Sequence, residues 1–296
     1  MITRRKFLEL MGHIPLMGLA TATYAAVIEP GFRLRTVTYS FTPPRWTPGL
    51  KLRALLLADP HLVEPHMPVA RWQRIIETAN GLNPDIILLL GDYVTAHPFR
   101  TAKVPVRLAA QAAKALKSPL GTFAICGNHD WWDDLTAQKN GHGPTVAQMA
   151  FEDAGIAVLE NRAVRLQKDG LPFWLSGTSS MVAIKKPRWQ FESRADIAAT
   201  MTQISDDAPI IHMAHEPDLF TEIPERVSLT LSGHTHGGQV RLFGYAPVIP
   251  SQFGNRFAYG HIVEGGRHLI VSGGLGCSVI PVRFGMPPEI TVLNLG

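Results

Sequence analysis

Two cysteines in 296 residues leave the fold without a disulfide framework. Cys126 closes the apolar run 122–126, where a buried and inert thiol is expected. Cys277 is the other. A catalytic cysteine at 126 is excluded, because no basic cluster or helix start stands beside it to favour the thiolate. Charge is sparse as well, at 18% of residues, and 28 basic against 24 acidic side chains leave a net charge of +4. That is far from the dense basic stripe of a nucleic-acid binder, and no basic aromatic strip is present to hold a strand, so no nucleic-acid partner is expected. Long apolar runs are also missing: the clean stretch from Ile14 to Ile28 falls short of the ~20 residues that span a bilayer. With 46% hydrophobic residues the chain can still bury a proper core, which excludes both a disordered chain and a polytopic membrane protein.

The start of the chain reads as a targeting segment rather than as fold. Arg4 and Arg5 precede Phe7-Leu8 and the apolar stretch, the pattern of a twin-arginine export signal. Small residues at Ala20-Thr21-Ala22 and Ala25-Ala26 offer cleavage sites, while retention as an anchor remains equally open. The expected division is therefore a signal or anchor over 1–30, a proline-rich linker over 31–50 and one domain over 51–296. Export implies export machinery as a partner, a membrane surface nearby, and a catalytic domain outside the cytoplasmic membrane.

Within the domain, short apolar runs at Leu52–Ala58, Asp85–Leu90 and Gly121–Cys126 read as buried strands. Helical spacing of Val69, Trp72, Ile75, Ile76 and Ala79, and an alanine-rich stretch from Val104 to Lys117, place helices between them. A β-α-β-α-β order implies a parallel sheet with its ligands beyond the carboxyl ends of the strands. The second half predicts helices over 145–154 and 193–204. Strands are predicted near 156–159, 163–167, 173–176, 209–213, 228–231, 239–242, 261–264, 268–272 and 289–293, which suggests a second sheet facing the first.

Histidine is plentiful, at twelve residues, and several stand at strand ends beside Asp, Asn or Gly. Five loops carry such residues: Asp59-Pro60-His61, Gly91-Asp92, Gly127-Asn128-His129-Asp130, His215-Glu216-Pro217-Asp218 and Gly233-His234-Thr235-His236-Gly237-Gly238. Any one is weak, since a lone histidine after a strand is more often a satisfied polar residue than a ligand. All five in order, each after an apolar strand, form a metal-site pattern. His212 lies inside a strand and reads as structural, and His97, His142, His261 and His268 lack a motif.

This set resembles the calcineurin-like metallophosphoesterase superfamily over roughly 51–294. With the twin-arginine start it resembles the YkuE/YaeI-like exported bacterial branch, which is itself similar to enzymes that hydrolyse UDP-diacylglucosamine. The resemblance implies an α/β fold, a four-layer α/β/β/α sandwich of two mixed sheets flanked by helices. It also implies two divalent metal ions (Mn, Fe or Zn), the first held by Asp59, His61 and His236, the second by Asn128, His215 and His234, with Asp92 bridging them. Imidazole and carboxylate donors suit those ions better than Mg or Ca. By the same resemblance a bridging hydroxide attacks phosphorus. His129 contacts the phosphate or protonates the leaving oxygen, with Asp130 or another carboxylate orienting it; apart from the resemblance, Trp131 and Gln239 are expected to touch substrate.

The sequence also departs from parts of the superfamily. No arginine follows Asp92 closely to clamp a phosphate, and Thr95 stands where an iron-binding tyrosine would be. A phosphodiester or pyrophosphate substrate, on a lipid or nucleotide-sugar headgroup, is therefore expected over a phosphoprotein. The competing reading is a metal-binding, non-catalytic cell-envelope protein of the same fold. Segments 139–143 and 181–190 are polar and irregular, and are the expected specificity loops.

Overall fold

The computed structural model describes residues 17–95 and 97–296. The twin-arginine pair therefore lies outside the described residues. Strands β1 (Arg35–Phe41), β2 (Leu52–Leu57), β3 (Ile86–Leu89), β4 (Thr122–Ala124) and β5 (Ala157–Val158) belong to a first sheet. Strands β6 (Arg162–Lys168), β7 (Leu171–Gly177), β8 (Ile210–Met213), β9 (Leu229–Ser232), β10 (Gly260–Glu264) and β11 (Arg267–Val271) form a second, ordered β10-β11-β9-β8-β7-β6. The last strand, β12 (Glu289–Leu295), returns to the first sheet between β1 and β2. Both sheets are mixed: β2 to β5 are mutually parallel, and β12 runs antiparallel to β2. In the second sheet β7, β8, β9 and β11 are parallel, with antiparallel edges at β6 and β10.

Alternation along β2 and β3 builds the layers. Leu55, Leu57, Ile87 and Leu89 face helices α1 (Val69–Gly81), α2 (Val106–Ala113) and α3 (Val146–Asp153), where they meet Trp72, Ile76, Ala110 and Phe151. Leu56, Leu88 and Leu90 point the other way, against Phe173, Leu175, Ile211, Leu229 and Ile270 of the second sheet. A period of two thus feeds two cores from one strand. Each buried leucine contributes ~1.5–3 kcal/mol of transfer free energy. Beyond the second sheet, Ile210, Leu219 and Ile223 pack with Ile197 and Met201 under a thin helical layer. The expected α/β/β/α sandwich is present.

Three expectations need correction. The stretch 31–50 is no linker: β1 pairs along seven residues with β12, from Arg35 with Glu289 to Phe41 with Leu295. Its alternating half-buried and exposed residues gave no apolar run to read. Residues 239–242 form no strand, because a 3-10 turn at His236–Gly238 and left-handed backbone at Gly237, Gly238 and Gln239 bend the chain away. The helix expected over 193–204 is confined to Ile197–Met201.

The N-terminal helix runs to Phe32, with π geometry over Tyr24–Ile28 and α geometry over Glu29–Phe32. It buries Ala25, Glu29 and Pro30 against the domain. Among the described residues no helix is long and apolar enough to cross a membrane.

Candidate metal centre

Loops leaving β2, β3, β4, β8 and β9 meet where the two sheets converge. Five of the seven expected ligands, Asp59, His61, Asp92, His234 and His236, have φ between 45° and 67°. Left-handed backbone is costly for residues with a Cβ and persists only where the surroundings impose it, commonly at functional sites. Glycines let these loops approach: a Cβ on Gly127 would lie 2.3 Å from Asp92 Oδ1, and one on Gly233 would lie 2.7 Å from Asp59 Oδ2.

The side chains converge as two groups. Ligand atoms of Asp59, His61 and His236 lie within 4.8 Å of one another, as do those of Asp92, His215 and His234. The Nε2 atoms of His61 and His236 face each other at 3.0 Å, and Asn128 Oδ1 is 2.8 Å from His234 Nδ1. Asp92 joins the groups, since its Oδ2 is 3.2 Å from His215 Nε2 and 3.5 Å from His61 Nε2. His61, Asp92 and His129 form a third such trio, so the histidine not assigned as a ligand borders the centre.

Burial shapes the charges here. It drives the imidazoles of His61 and His234 down to about 3, and that of His236 well below its ordinary range. His215 goes the other way: burial pulls it down, but the carboxylates of Asp92, Glu216 and Asp59 together outweigh that and hold it well above its ordinary range. Asp59 is pushed up to about 7 by burial. Burial acts on Asp92 too, yet His215 and His129 hold it well below the usual carboxylate range.

The donors fit divalent cations. The Nδ1–H of His215 donates to the Leu90 carbonyl at 2.6 Å, which turns Nε2 toward the carboxylates. That Nε2 is buried 3.2 Å from Asp92 Oδ2 and 3.8 Å from Asp59 Oδ1. Two neutral imidazole nitrogens opposed at 3.0 Å beside two buried carboxylates are a donor set that suits a divalent metal ion. Asp59, His61 and His236 would hold one ion and Asn128, His215 and His234 the other, with Asp92 between them.

Other expected site residues sit elsewhere. The Asp130 carboxylate does not orient the His129 ring; it accepts the backbone N–H groups of Asp92, Tyr93 and Gly127 at 2.8–3.1 Å and ties two ligand loops together. Trp131 is 4% exposed and belongs to the helix-side core, so it cannot face substrate. Its neighbour Trp132 does border the site, with its ring 5.2 Å from that of His129. Gln239 braces a loop: its amide donates to the Ile280 and Val282 carbonyls, and its Oε1 accepts from Ser278 N–H at 2.6 Å.

The residues read as structural do lie outside the centre. His212 is buried and bonded to Ser176 Oγ at 2.8 Å, with burial lowering it to about 4. Both cysteines are buried and free. The segment 184–192 is ordered as a short hairpin pairing Ile184–Lys186 with Gln190–Glu192.

Other polar residues brace the ligands, and two of them, Ser278 and Arg283, carried no motif. Ser278 Oγ lies 3.3 Å from His129 Nε2. Arg283 is fully buried, with its guanidinium on the carbonyls of Gly273, Gly276 and Met286 and 3.2 Å from His236 Nδ1. Glu216 accepts from Ser180 Oγ and Met181 N–H, and Asp218 accepts from Ser251 Oγ and Gln252 N–H. A buried arginine after an unremarkable loop could be found only once the tertiary structure placed it.

Comparison with known proteins agrees with this geometry. The family model for calcineurin-like phosphoesterases matches residues 52–238. The metallophosphoesterase YkuE of Bacillus subtilis is 29% identical, over 99% of this chain and 98% of its own. The phosphodiesterase YaeI of Escherichia coli is 30% identical, with both chains covered in full. A transmembrane protein with a metallophosphoesterase domain from Danio rerio is 29% identical over 82% of this chain and 53% of its own. Among solved structures, the 5'-nucleotidase precursor of Thermus thermophilus superposes with a TM-score of 0.47 at 12% identity, over 83% of this chain and 54% of that one. The chain belongs to the calcineurin-like phosphoesterase family.

Proposed function

We propose that the protein is a two-metal phosphodiesterase acting on a phosphodiester or pyrophosphate outside the cytoplasmic membrane. The observation that carries the reading is Asp92, whose single Oδ2 stands 3.2 Å from one ligand group and 3.5 Å from the other. Two divalent ions bound there supply charge to meet the phosphoryl oxygens and lower the pKa of the attacking water. The chain supplies the rest. Asp92 faces both halves, Asn128 meets His234 within the second, and Asp130 fixes the loops that carry Asp92 and Asn128. His129, whose ring stands edge-on to that of His61 with centroids 4.9 Å apart, donates a proton to the leaving oxygen in this reading.

The shape around the centre favours a diester with two bulky arms. A groove of about 390 Å³ opens at His61 and Cys277 and is walled by Val27, Pro30 and Phe32, with Arg74 at its side. On the His129 side lies a hollow of about 350 Å³ with Trp132, Lys185 and Phe191. An apolar arm and an aromatic or anionic arm suit a lipid or nucleotide-sugar headgroup. No arginine follows Asp92 closely to neutralise a dianionic monoester, and the E. coli relative bears the name phosphodiesterase. Exposed Ile28 and Phe32 on the N-terminal helix support a place at a membrane surface.

The test compares bis(p-nitrophenyl) phosphate with p-nitrophenyl phosphate, on Mn-loaded protein with and without a chelator. Faster, chelator-sensitive and metal-restored cleavage of the diester supports the reading. Two bound metals with no turnover of either ester, or of a lipid or nucleotide-sugar diester, would favour the non-catalytic alternative.

A further inference from the structure

We propose that Glu29, on the N-terminal helix, is a positioning residue for the half of the centre built by Asp59, His61 and His236; this rests on the metal-centre reading above. Glu29 is 1% exposed, and no cation among the described residues pairs with it. A buried carboxylate is costly unless its oxygens are satisfied. Here both are, by one loop: Oε1 accepts from Met286 N–H at 2.6 Å and Oε2 from Gly285 N–H at 3.0 Å. One turn earlier the Ala25 carbonyl accepts from Arg283 N–H at 2.9 Å, and the Tyr24 ring meets Phe284 edge-on with centroids 6.1 Å apart. Four consecutive residues, 283 to 286, are thus gripped by a single helix. The π geometry over Tyr24–Ile28 lies within this grip, and such segments are frequent at functional sites.

What the loop holds is the wall behind His236. The Arg283 guanidinium is fixed by the carbonyls of Gly273, Gly276 and Met286 and reaches His236 Nδ1 at 3.2 Å. Met286 packs so closely behind the histidine loop that a Cβ on Gly237 would lie 2.6 Å from its sulfur. Both contacts fall on His236 or its neighbour, and both side chains spring from residues whose backbone N–H groups the helix captures. Releasing Glu29 would free Met286 and Arg283, and with them the ring whose Nε2 faces His61. The second ligand group rests on other supports, such as the Leu90 carbonyl on His215 and the Pro250 carbonyl on His234. The loss should therefore fall on one metal site and not on both. The grip also requires residues 24–32 to stay with the domain, whatever becomes of those before them.

The experiment uses the full chain, stripped of metal and titrated with Mn(II) by calorimetry, in wild type, Glu29→Ala, Glu29→Gln and Ile28→Ala. Wild type and Ile28→Ala should bind two ions alike. Glu29→Ala should keep one site at wild-type affinity and weaken the other at least tenfold, with kcat down at least tenfold and KM within twofold. Glu29→Gln retains one acceptor oxygen and should fall between. Wild-type affinities and kcat in Glu29→Ala would overturn the proposal. So would equal weakening of both sites in Glu29→Gln accompanied by a drop in Tm, which would mark a general loss of stability. A wild-type chain that binds no pair of ions would overturn the metal centre and this proposal together.

Discussion

The backbone N–H of His129 donates to Oδ1 of Asp92 at 2.8 Å, which leaves Oδ2 to face His215 and His61. One residue thus fixes the joining carboxylate through its main chain, and its imidazole is the proposed proton donor. The two roles separate on mutation. His129→Asn keeps the N–H, so metal content should stay at the wild-type level. Turnover should fall ~10²–10⁴-fold, the range of a lost general acid. Metal analysis and steady-state kinetics on the same preparation check it; a wild-type kcat would remove His129 from the chemistry.

Gly127→Ala should disable metal binding without a backbone penalty. Gly127 has φ of −95°, which any residue adopts, so its need for glycine comes from contact alone. The added Cβ would lie 2.3 Å from Asp92 Oδ1 and 2.6 Å from His215 Cε1. A folded variant with Mn affinity at least tenfold weaker is expected in a calorimetric titration.

The adjacent tryptophans should behave oppositely. Trp131→Ala empties core volume and should cost about 3–5 kcal/mol of stability, read by denaturant unfolding. Trp132→Ala removes a half-buried ring that borders His129 and stacks on Phe191 at 5.2 Å. It should raise KM for diesters with a bulky leaving group more than for small ones, with a smaller loss of stability.

Stability should decline with rising pH because of Glu160. Burial raises its carboxyl from 4.5 to about 7, although it accepts from Cys126 N–H at 2.8 Å and Ser179 Oγ–H at 2.6 Å. Between those two values the folded state holds a proton that the unfolded state has released. The proton-linked stability is therefore complete below pH 4.5 and is lost as pH rises through 7. A shift of this size corresponds to roughly 3 kcal/mol. Glu160→Gln, which stays neutral, should show a higher Tm than wild type at pH 8 and a narrower gap at pH 5. Parallel Tm profiles for the two proteins would contradict the assignment.

The candidate ligand set was legible because such residues sit where chemistry and local grammar coincide, on Gly-flanked turns after apolar runs such as 85–90 before Asp92. The parallel core strands were legible for the same reason. β1 was not, since an edge strand reading Arg-Thr-Val-Thr-Tyr-Ser-Phe has no apolar run and gains its place only by pairing with β12. The roles of Asp130, Trp131 and Gln239 were misread because adjacency in a motif says nothing about which way a side chain turns. Their partners, at Tyr93, in the helix-side core and at Ile280, are set by tertiary packing. Arg283 and Glu29 lie still further from sequence reasoning, since each matters through residues remote in the chain.

If the Asp92 carboxylate joins two metal sites, metal stoichiometry depends on it. Wild type and Asp92→Asn would be stripped, reloaded with excess Mn(II), desalted and measured by elemental analysis. The account predicts two ions per wild-type chain and at most one in Asp92→Asn, with chelator-sensitive diester cleavage lost in the variant. One ion or none in wild type, or two retained in Asp92→Asn, would contradict it.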